Sequence, residues 1–181
     1  MIISLRGTSG AGKSWIVHQI LAQCGVTKMD YPAPGKKRAM GLLLAVTPGH
    51  HTIFVPGHYD IANGGVDTLP DLNTAYELIR KHAQLGCHVL YEGKNMSDGA
   101  TRLLALSEKH VCRVLHLSTP LDECVRRVRE RGHKIARASI EKTRKKIQRD
   151  TDKFAASDVN VLTLTSKAAL RLVREWLEIP S

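Results

Sequence analysis

The sequence predicts an α/β protein: a five-stranded, mostly parallel sheet with helices on both faces. Three observations predict it. Short apolar runs and helix-spaced runs alternate five times along the chain, the order that covers a parallel sheet with helices. A length of 181 residues, 43% of them apolar, is enough for one domain, residues 1–181, with a core of its own. A glycine-rich turn, Gly7 to Gly12, lies between the first apolar run and the first helical one.

The elements follow in order. Ile2 to Arg6 is a β-type run. After the glycine turn, Lys13 to Cys24 reads as a helix with Ile16, Ile20, Leu21 and Cys24 on its apolar face. Tyr31-Pro32-Ala33-Pro34-Gly35 is loop. Between residues 30 and 51 a strand pair and an irregular loop fit equally well; Leu42 to Val46 is the strand candidate there, and Thr47-Pro48-Gly49 turns the chain. Thr52 to Val55 is a core strand ending at Pro56-Gly57. Gly57 to Leu72 is loop, rich in Gly, Pro, Asn and Asp. Asn73 caps a helix to about Leu85, with Gly86 as its stop signal. Cys87 to Tyr91 is a strand, Ser97 or Asp98 opens a helix to about Lys109, and Val111 to Leu117 is the next strand. Pro120 starts a helix to Arg131 that Gly132 ends. Ser139 caps a long polar helix, Val159 to Leu164 is the fifth strand and Ala168 to Leu177 the final helix.

The totals exclude several classes. No apolar run approaches the roughly 20 residues of a membrane span. Met1 to Leu5 has neither the basic region nor the cleavage site of a signal peptide. Cys24, Cys87, Cys112 and Cys124 lack paired spacing and read as reduced thiols, so a cytoplasmic location is expected. His50, His51 and His58 are the nearest approach to a zinc cluster, and they lack ligand spacing. Oligomeric state has no signal in the sequence.

Gly7-Thr8-Ser9-Gly10-Ala11-Gly12-Lys13-Ser14 fits G-x-x-x-x-G-K-S/T at every fixed position, and it sits between a strand and a helix as that motif requires. The glycines let backbone N–H groups turn inward around phosphate oxygens, and the helix points its positive end at them. Lys13 then reaches the β- and γ-phosphates and the Ser14 hydroxyl binds Mg²⁺. The chain resembles the P-loop NTPase superfamily, with ATP as the implied substrate.

Within that superfamily the sequence favours a kinase. The guanine-binding Asn-Lys-x-Asp of switch GTPases is missing from Gly93 to Asp98, and motors or helicases usually need a longer chain. Glu92 closes the apolar strand Cys87 to Tyr91, where a carboxylate can hold a Mg²⁺-bound water or orient an acceptor. Arg127 and Arg131 stand four apart on one helix face. That helix resembles the lid helix of nucleoside monophosphate kinases, in which one arginine stacks on adenine and the next clamps the transferring phosphate. Arg126 and Arg129 are alternatives for these roles. The Arg-rich lid spans about residues 126–140, with His133, Lys134 and Arg137 in its later part.

The loop after the Thr52–Val55 strand should face the acceptor. It carries two candidate general bases, Asp67 and, second, Asp60, for an acceptor hydroxyl. Gly64 and Gly65 allow close backbone approach. Gly57, Tyr59, Gly64, Gly65, Asp67 and Glu92 resemble their counterparts in phage-encoded P-loop kinases of the thymidylate-kinase-like group. The likeness covers about residues 1 to 155. Some of those kinases phosphorylate 5-hydroxymethyluracil in DNA, a step toward hypermodified thymidines.

Charge supports the DNA reading independently. The chain carries +10, and Arg126 to Arg149 holds eleven Lys or Arg against Glu130 and Glu141. That exceeds what ATP can use and suits a phosphate backbone. A pyrimidine 5-substituent lies in the major groove, but reaching a lidded site requires extrusion of the base. The expectation is a Mg·ATP-dependent kinase acting on the hydroxymethyl group of a modified pyrimidine in DNA. The alternatives are a nucleoside monophosphate or other small-molecule kinase, and a nucleotide-dependent DNA-binding ATPase.

Overall fold

The computed structural model describes residues 1–23, 26–31, 40–46, 52–59, 64–93, 100–157 and 159–179. The described strands are β1 (Ile2–Arg6), β2 (Val26–Tyr31), β3 (Gly41–Val46), β4 (Thr52–Pro56), β5 (His88–Glu92), β6 (Cys112–Leu117) and β7 (Asn160–Leu164). The described helices are α1 (Lys13–Leu21), α2 (Leu72–Gln84), α3 (Ala100–Ser107), α4 (Leu121–Glu130), α5 (Arg137–Ala155) and α6 (Ser166–Trp176).

The sheet has seven strands in the order β2-β3-β4-β5-β1-β6-β7. The five expected strands are its parallel part, β4-β5-β1-β6-β7. The expected count of five is corrected by β2 and β3, which pair antiparallel with each other and extend the sheet beyond β4. Between residues 30 and 51 the strand candidate Leu42 to Val46 is β3, while β2 lies almost wholly before that stretch and is not among the expected elements; residues 32–39 and 47–51 lie outside the described residues.

Strand alternation builds two cores. Ile3, Leu5, Ile53, Val55, Leu90, Leu115 and Leu117 meet α1, α4 and α6 through Ile16, Val17, Ile20, Cys124, Val128, Ala169 and Val173. Their neighbours Ile2, Phe54, Val89, Tyr91 and Val114 point the other way, onto Tyr76, Ile79, Leu103 and Phe154 of α2, α3 and α5. Both faces are covered, as a parallel sheet requires.

Helix starts differ from the expected caps. Asp71, not Asn73, caps α2: its backbone is extended and its carboxylate accepts from the Thr74 N–H at 2.8 Å. α5 begins at Arg137 without a side-chain cap, so Ser139 falls inside its first turn. An ion pair from Arg137 to Asp122 and burial of Ile140 hold that end instead. α6 starts two residues early because Thr165 accepts from the Ala168 N–H at 3.3 Å. α1 ends at Leu21; Cys24 lies outside the described residues, as do Ser97 and Asp98.

β1 is central, with β5 on one side and β6 on the other. Leu5 pairs with Glu92, so β5 ends beside the last turn of β1, just before the glycine loop begins. The chain leaves the sheet in different directions here, which opens a crevice at the carboxyl ends of the strands.

Candidate active site

The glycine loop Gly7 to Ser14 joins β1 to α1 and is held from three sides. Thr119, after β6, donates its hydroxyl to the Ala11 carbonyl at 2.8 Å. Thr8 donates to the Ile140 carbonyl of α5 at 3.2 Å. Gly10 packs so closely on α4 that a Cβ would lie 2.4 Å from the Cys124 carbonyl oxygen. Gly12 (φ 105°) ends the loop in the left-handed region and leaves α1 without a side-chain cap. The first N–H groups of α1 therefore face the loop as free donors, which suits an anion. Lys13 is 8% exposed, and its ammonium donates to the Gly7 and Thr8 carbonyls at 2.8 and 3.2 Å.

Ser14 donates its hydroxyl to Glu92 Oε1 at 2.8 Å, joining the start of α1 to the end of β5. Glu92 is 3% exposed. Burial pushes its carboxyl above the usual glutamate range, opposed by the Lys13 charge and the Ser14 hydrogen bond. The Asp67 charge adds to the upward shift, and Arg131 opposes it.

The acceptor loop is pinned against this carboxylate. Gly65 N–H donates to the His58 carbonyl at 3.0 Å, and the Thr68 hydroxyl bridges the His58 N–H (2.8 Å) and the Gly65 carbonyl (2.7 Å). Gly57 crosses Gly65 so closely that a Cβ would lie 2.0 Å from its carbonyl oxygen. A Cβ on Gly64 would meet the Tyr59 ring at 2.7 Å. Tyr59 is buried, its hydroxyl lacks a partner among the described residues, and burial raises its pKa well above the usual value. The Glu92 and Asp67 charges push the same way. Asp67 is exposed in the short 3-10 turn Val66–Thr68. Asp60 lies outside the described residues.

α4 brings Arg127 over the loop: its guanidinium donates to Glu123 at 2.7 Å and to the Gly10 carbonyl at 3.3 Å. Hydrogen bonds from Arg126 and Arg127 hold the Glu123 carboxyl down at about 2, so this anchor stays ionised. Arg131 donates to the Arg127 carbonyl at 3.2 Å. Arg126 instead faces Glu123 and Glu130 on the exposed side of the helix.

These parts surround one cleft of about 860 Å³. Of the expected residues, Ser9, Gly10, Gly12, Lys13, Ser14, Gly64, Asp67, Glu92, Arg127 and Arg131 line it. Thr8, Ala11 and Tyr59 are buried behind that wall, while Gly7 and Gly57 shape the backbone. Arg126 and Arg129 do not line it. The lining also includes Trp15, His18, Ser166 and Lys167, which the sequence reading missed. Trp15 and His18 had a signal, since they follow the motif at helical spacing. Ser166 and Lys167 had none; only pairing of β7 with β6 brings the start of α6 to Gly12.

Comparison with known proteins shows the family and the fold. The 5-hmdU DNA kinase of Pseudomonas phage PaMx11 is 36% identical over 131 residues, covering 72% of this chain and 68% of that protein. The chain belongs to the 5-hmdU DNA kinase family. It is a phosphotransferase of the kinase type. No protein-family model matches the chain. Two structures of deoxyadenosine kinase from M. mycoides, one with dCMP and a flexible dCDP and one with dCTP, share its fold. Each has a TM-score of 0.50 and 15% identity over 98% of this chain and 99% of that one. Among the described residues no helix is long and apolar enough to cross a membrane.

Proposed function

We propose that the protein transfers the γ-phosphoryl group of Mg·ATP to the hydroxymethyl oxygen of 5-hydroxymethyluracil in DNA, a step in thymidine hypermodification of a phage genome. The observation that carries this reading is the Ser14–Glu92 pair in the cleft, near Lys13 and Asp67, in a chain of this kinase family.

The backbone N–H groups of Gly7 to Ser14 bind the β- and γ-phosphates, and Lys13 balances their charge. Ser14 and Glu92 offer only oxygen donors, one of them a buried carboxylate, which fits a hard cation such as Mg²⁺. Ser14 would hold it directly and Glu92 through a water; when bound it draws negative charge off the phosphates. Asp67 takes the proton from the acceptor hydroxyl, with Asp60 the alternative. The acceptor oxygen bonds to the γ-phosphorus as the bond to the β,γ-bridging oxygen breaks, and ADP leaves. Arg131 stabilises the charge of the transferring group, and Arg127 serves the nucleotide. Gly57, Tyr59, Gly64 and Gly65 shape the wall against which the extruded base lies. Residues 126–140, from the end of α4 to the start of α5, act as the lid.

γ-Labelled ATP tests the reading with three acceptors: duplex DNA containing 5-hydroxymethyluracil, free nucleosides and their monophosphates, and plain DNA. Label on the modified duplex is expected. Label on free nucleotides alone, or phosphate release without transfer, overturns it. Lys13→Ala should abolish transfer while far-UV circular dichroism stays native, because the charge on the γ-phosphate then lacks its balance. Near-normal turnover in that variant would rule out the kinase assignment of this loop.

A further inference from the structure

The chain holds two Trp, two Phe and four Tyr. Phe54, Tyr59, Tyr76, Tyr91 and Phe154 are buried. Trp176 is partly covered and lies under the Arg113 guanidinium, 4.2 Å from the ring centre. Trp15 differs. It is 41% exposed, and no ring or cation partners it among the described residues. An indole left half in water forgoes much of the burial that drives folding. Two other large apolar side chains, Leu85 and Val111, are also exposed, but neither lines the cleft, whereas Trp15 does.

Its position is set by anchored neighbours. Ser14, one residue before it, is fixed to Glu92, and His18, three residues after it, meets the Tyr59 ring edge-on at 5.8 Å. Trp15 and His18, three residues apart, both lie on the exposed side of α1 and line the same cleft as Gly64 and Asp67, and His18 reaches the acceptor loop at Tyr59. The loop side of Ser14 is taken by different parts: Arg127 at Gly10, and Ser166 within 3.0 Å of where a Gly12 Cβ would stand. A ring beyond Ser14 meets whatever approaches the γ-phosphate from the acceptor side.

We infer that Trp15 is the platform on which the extruded pyrimidine of the acceptor stacks, with His18 at its edge. The inference rests on the function proposed above and names how the base is held. An extruded base loses its stacking neighbours in the duplex, and an indole face restores one. Stacking also fixes the plane of the pyrimidine. The 5-hydroxymethyl carbon lies in that plane, so a base flat on Trp15 presents its hydroxymethyl edge-on toward Asp67 and Glu92. Any pyrimidine has a π-face, so the platform holds the ring while the carboxylates select the substituent.

The test is steady-state kinetics of the full chain as wild type, Trp15→Ala and Trp15→Phe, with a duplex carrying one 5-hydroxymethyluracil. Base–aromatic stacking measured by truncation corresponds to a change of roughly 5- to 150-fold. Trp15→Ala should raise KM for the DNA within that range and leave KM for ATP unchanged, and Trp15→Phe should recover most of the loss. An independent readout uses Trp176→Phe, in which Trp15 is the sole tryptophan: its fluorescence should be quenched by a modified oligonucleotide. Unchanged acceptor KM in Trp15→Ala, a rise confined to ATP, no rescue by phenylalanine, or no quenching would each overturn the inference. Should wild type label the free nucleotide and not DNA, the DNA reading fails, and the same kinetics on that nucleotide decide the platform separately. Should wild type label neither, the quenching experiment decides.

Discussion

Gly65 is the most constrained contact between the acceptor loop and the buried carboxylate. Its backbone (φ 82°, ψ −162°) falls in a region populated almost only by glycine. A Cβ there would lie 2.4 Å from the Glu92 carbonyl oxygen and 2.9 Å from Glu92 Oε1. Gly65→Ala therefore carries about 1–3 kcal/mol of backbone strain, and relieving the overlap with a backbone carbonyl adds a further ~1–3 kcal/mol. Gly86→Ala is the control. Gly86 has a similar φ of 84°, but a Cβ there meets nothing within 4 Å. Its cost is the left-handed penalty alone, about 1–2 kcal/mol. For a chain of this size each kcal/mol shifts Tm by about 2–4 °C. Thermal unfolding followed by circular dichroism should show a drop of roughly 4–24 °C for Gly65→Ala, against roughly 2–8 °C for Gly86→Ala, the first always the larger. Turnover separates them further. Displacing Glu92 by an ångström is expected to reduce kcat by about 100-fold, whereas Gly86→Ala should leave it unchanged. Equal losses of Tm, or a normal kcat in Gly65→Ala, would refute the claim that Gly65 sets the position of Glu92.

Three further outcomes follow from the site. Asp67→Asn should lower kcat by about 10²–10⁴-fold with little change in ATP binding, the range for loss of a general base; if Asp60→Asn shows that profile instead, Asp60 is the base. Burial holds the Glu92 carboxyl above the usual glutamate range, so the native state binds its proton more tightly than the unfolded chain does, and its contribution to stability is lost as pH rises through that folded-state pKa. Glu92→Gln should thus raise Tm at pH 8, converge with wild type in acid below the usual glutamate range, and abolish turnover; a lower Tm for the variant at pH 8 contradicts the assignment. Replacing Lys142, Lys145 and Arg149 with glutamine should flatten the dependence of log DNA affinity on log salt by about 0.9 for each phosphate they neutralise, with ATP affinity unaltered; an unchanged slope excludes that face as the DNA track.

Local motifs made part of this site legible and long-range pairing hid the rest. The strand, glycine loop and helix from Ile2 to Leu21 are contiguous, so residue spacing alone located the loop between β1 and α1. Glu92 was readable because an acid closing an apolar strand has few structural uses. β3 was ambiguous because Gly41–Val46 is an unbroken apolar run with no alternation, and its antiparallel partners lie on both sides of it in sequence. Cap residues misled where two candidates stood close together: Asp71 and Asn73 both suit a cap, and the extended backbone at Asp71 decides between them. Ser166 reaches Gly12 only through the fold, which no local pattern records.

Counting charge along the chain overstates what the basic segment offers to a polymer. Asp122 and Glu123, just before Arg126, lie outside the window of eleven cations and two acids, yet Asp122 pairs with Arg137, and Glu123 with Arg126 and Arg127. Glu141 similarly engages Lys145 at 2.9 Å. Two cations from α4 and its end, Arg127 and Arg131, line the cleft, which is the number a nucleotide's phosphates call for. Lys142, Lys145 and Arg149 line a different groove, of about 690 Å³, along α5. Residues 131–136 connect the two sets, and among them Arg131, His133 and Ile135 line the cleft. Two sets of cations that composition merges are therefore separate in space: Arg127 and Arg131 in the cleft, proposed above to serve the nucleotide and the transferring phosphate, and an exposed stripe along α5 that does not line that cleft. Under the proposed function, that separation lets salt dependence and ATP affinity be varied independently, so one set of substitutions on α5 decides the acceptor's size while the cleft stays intact.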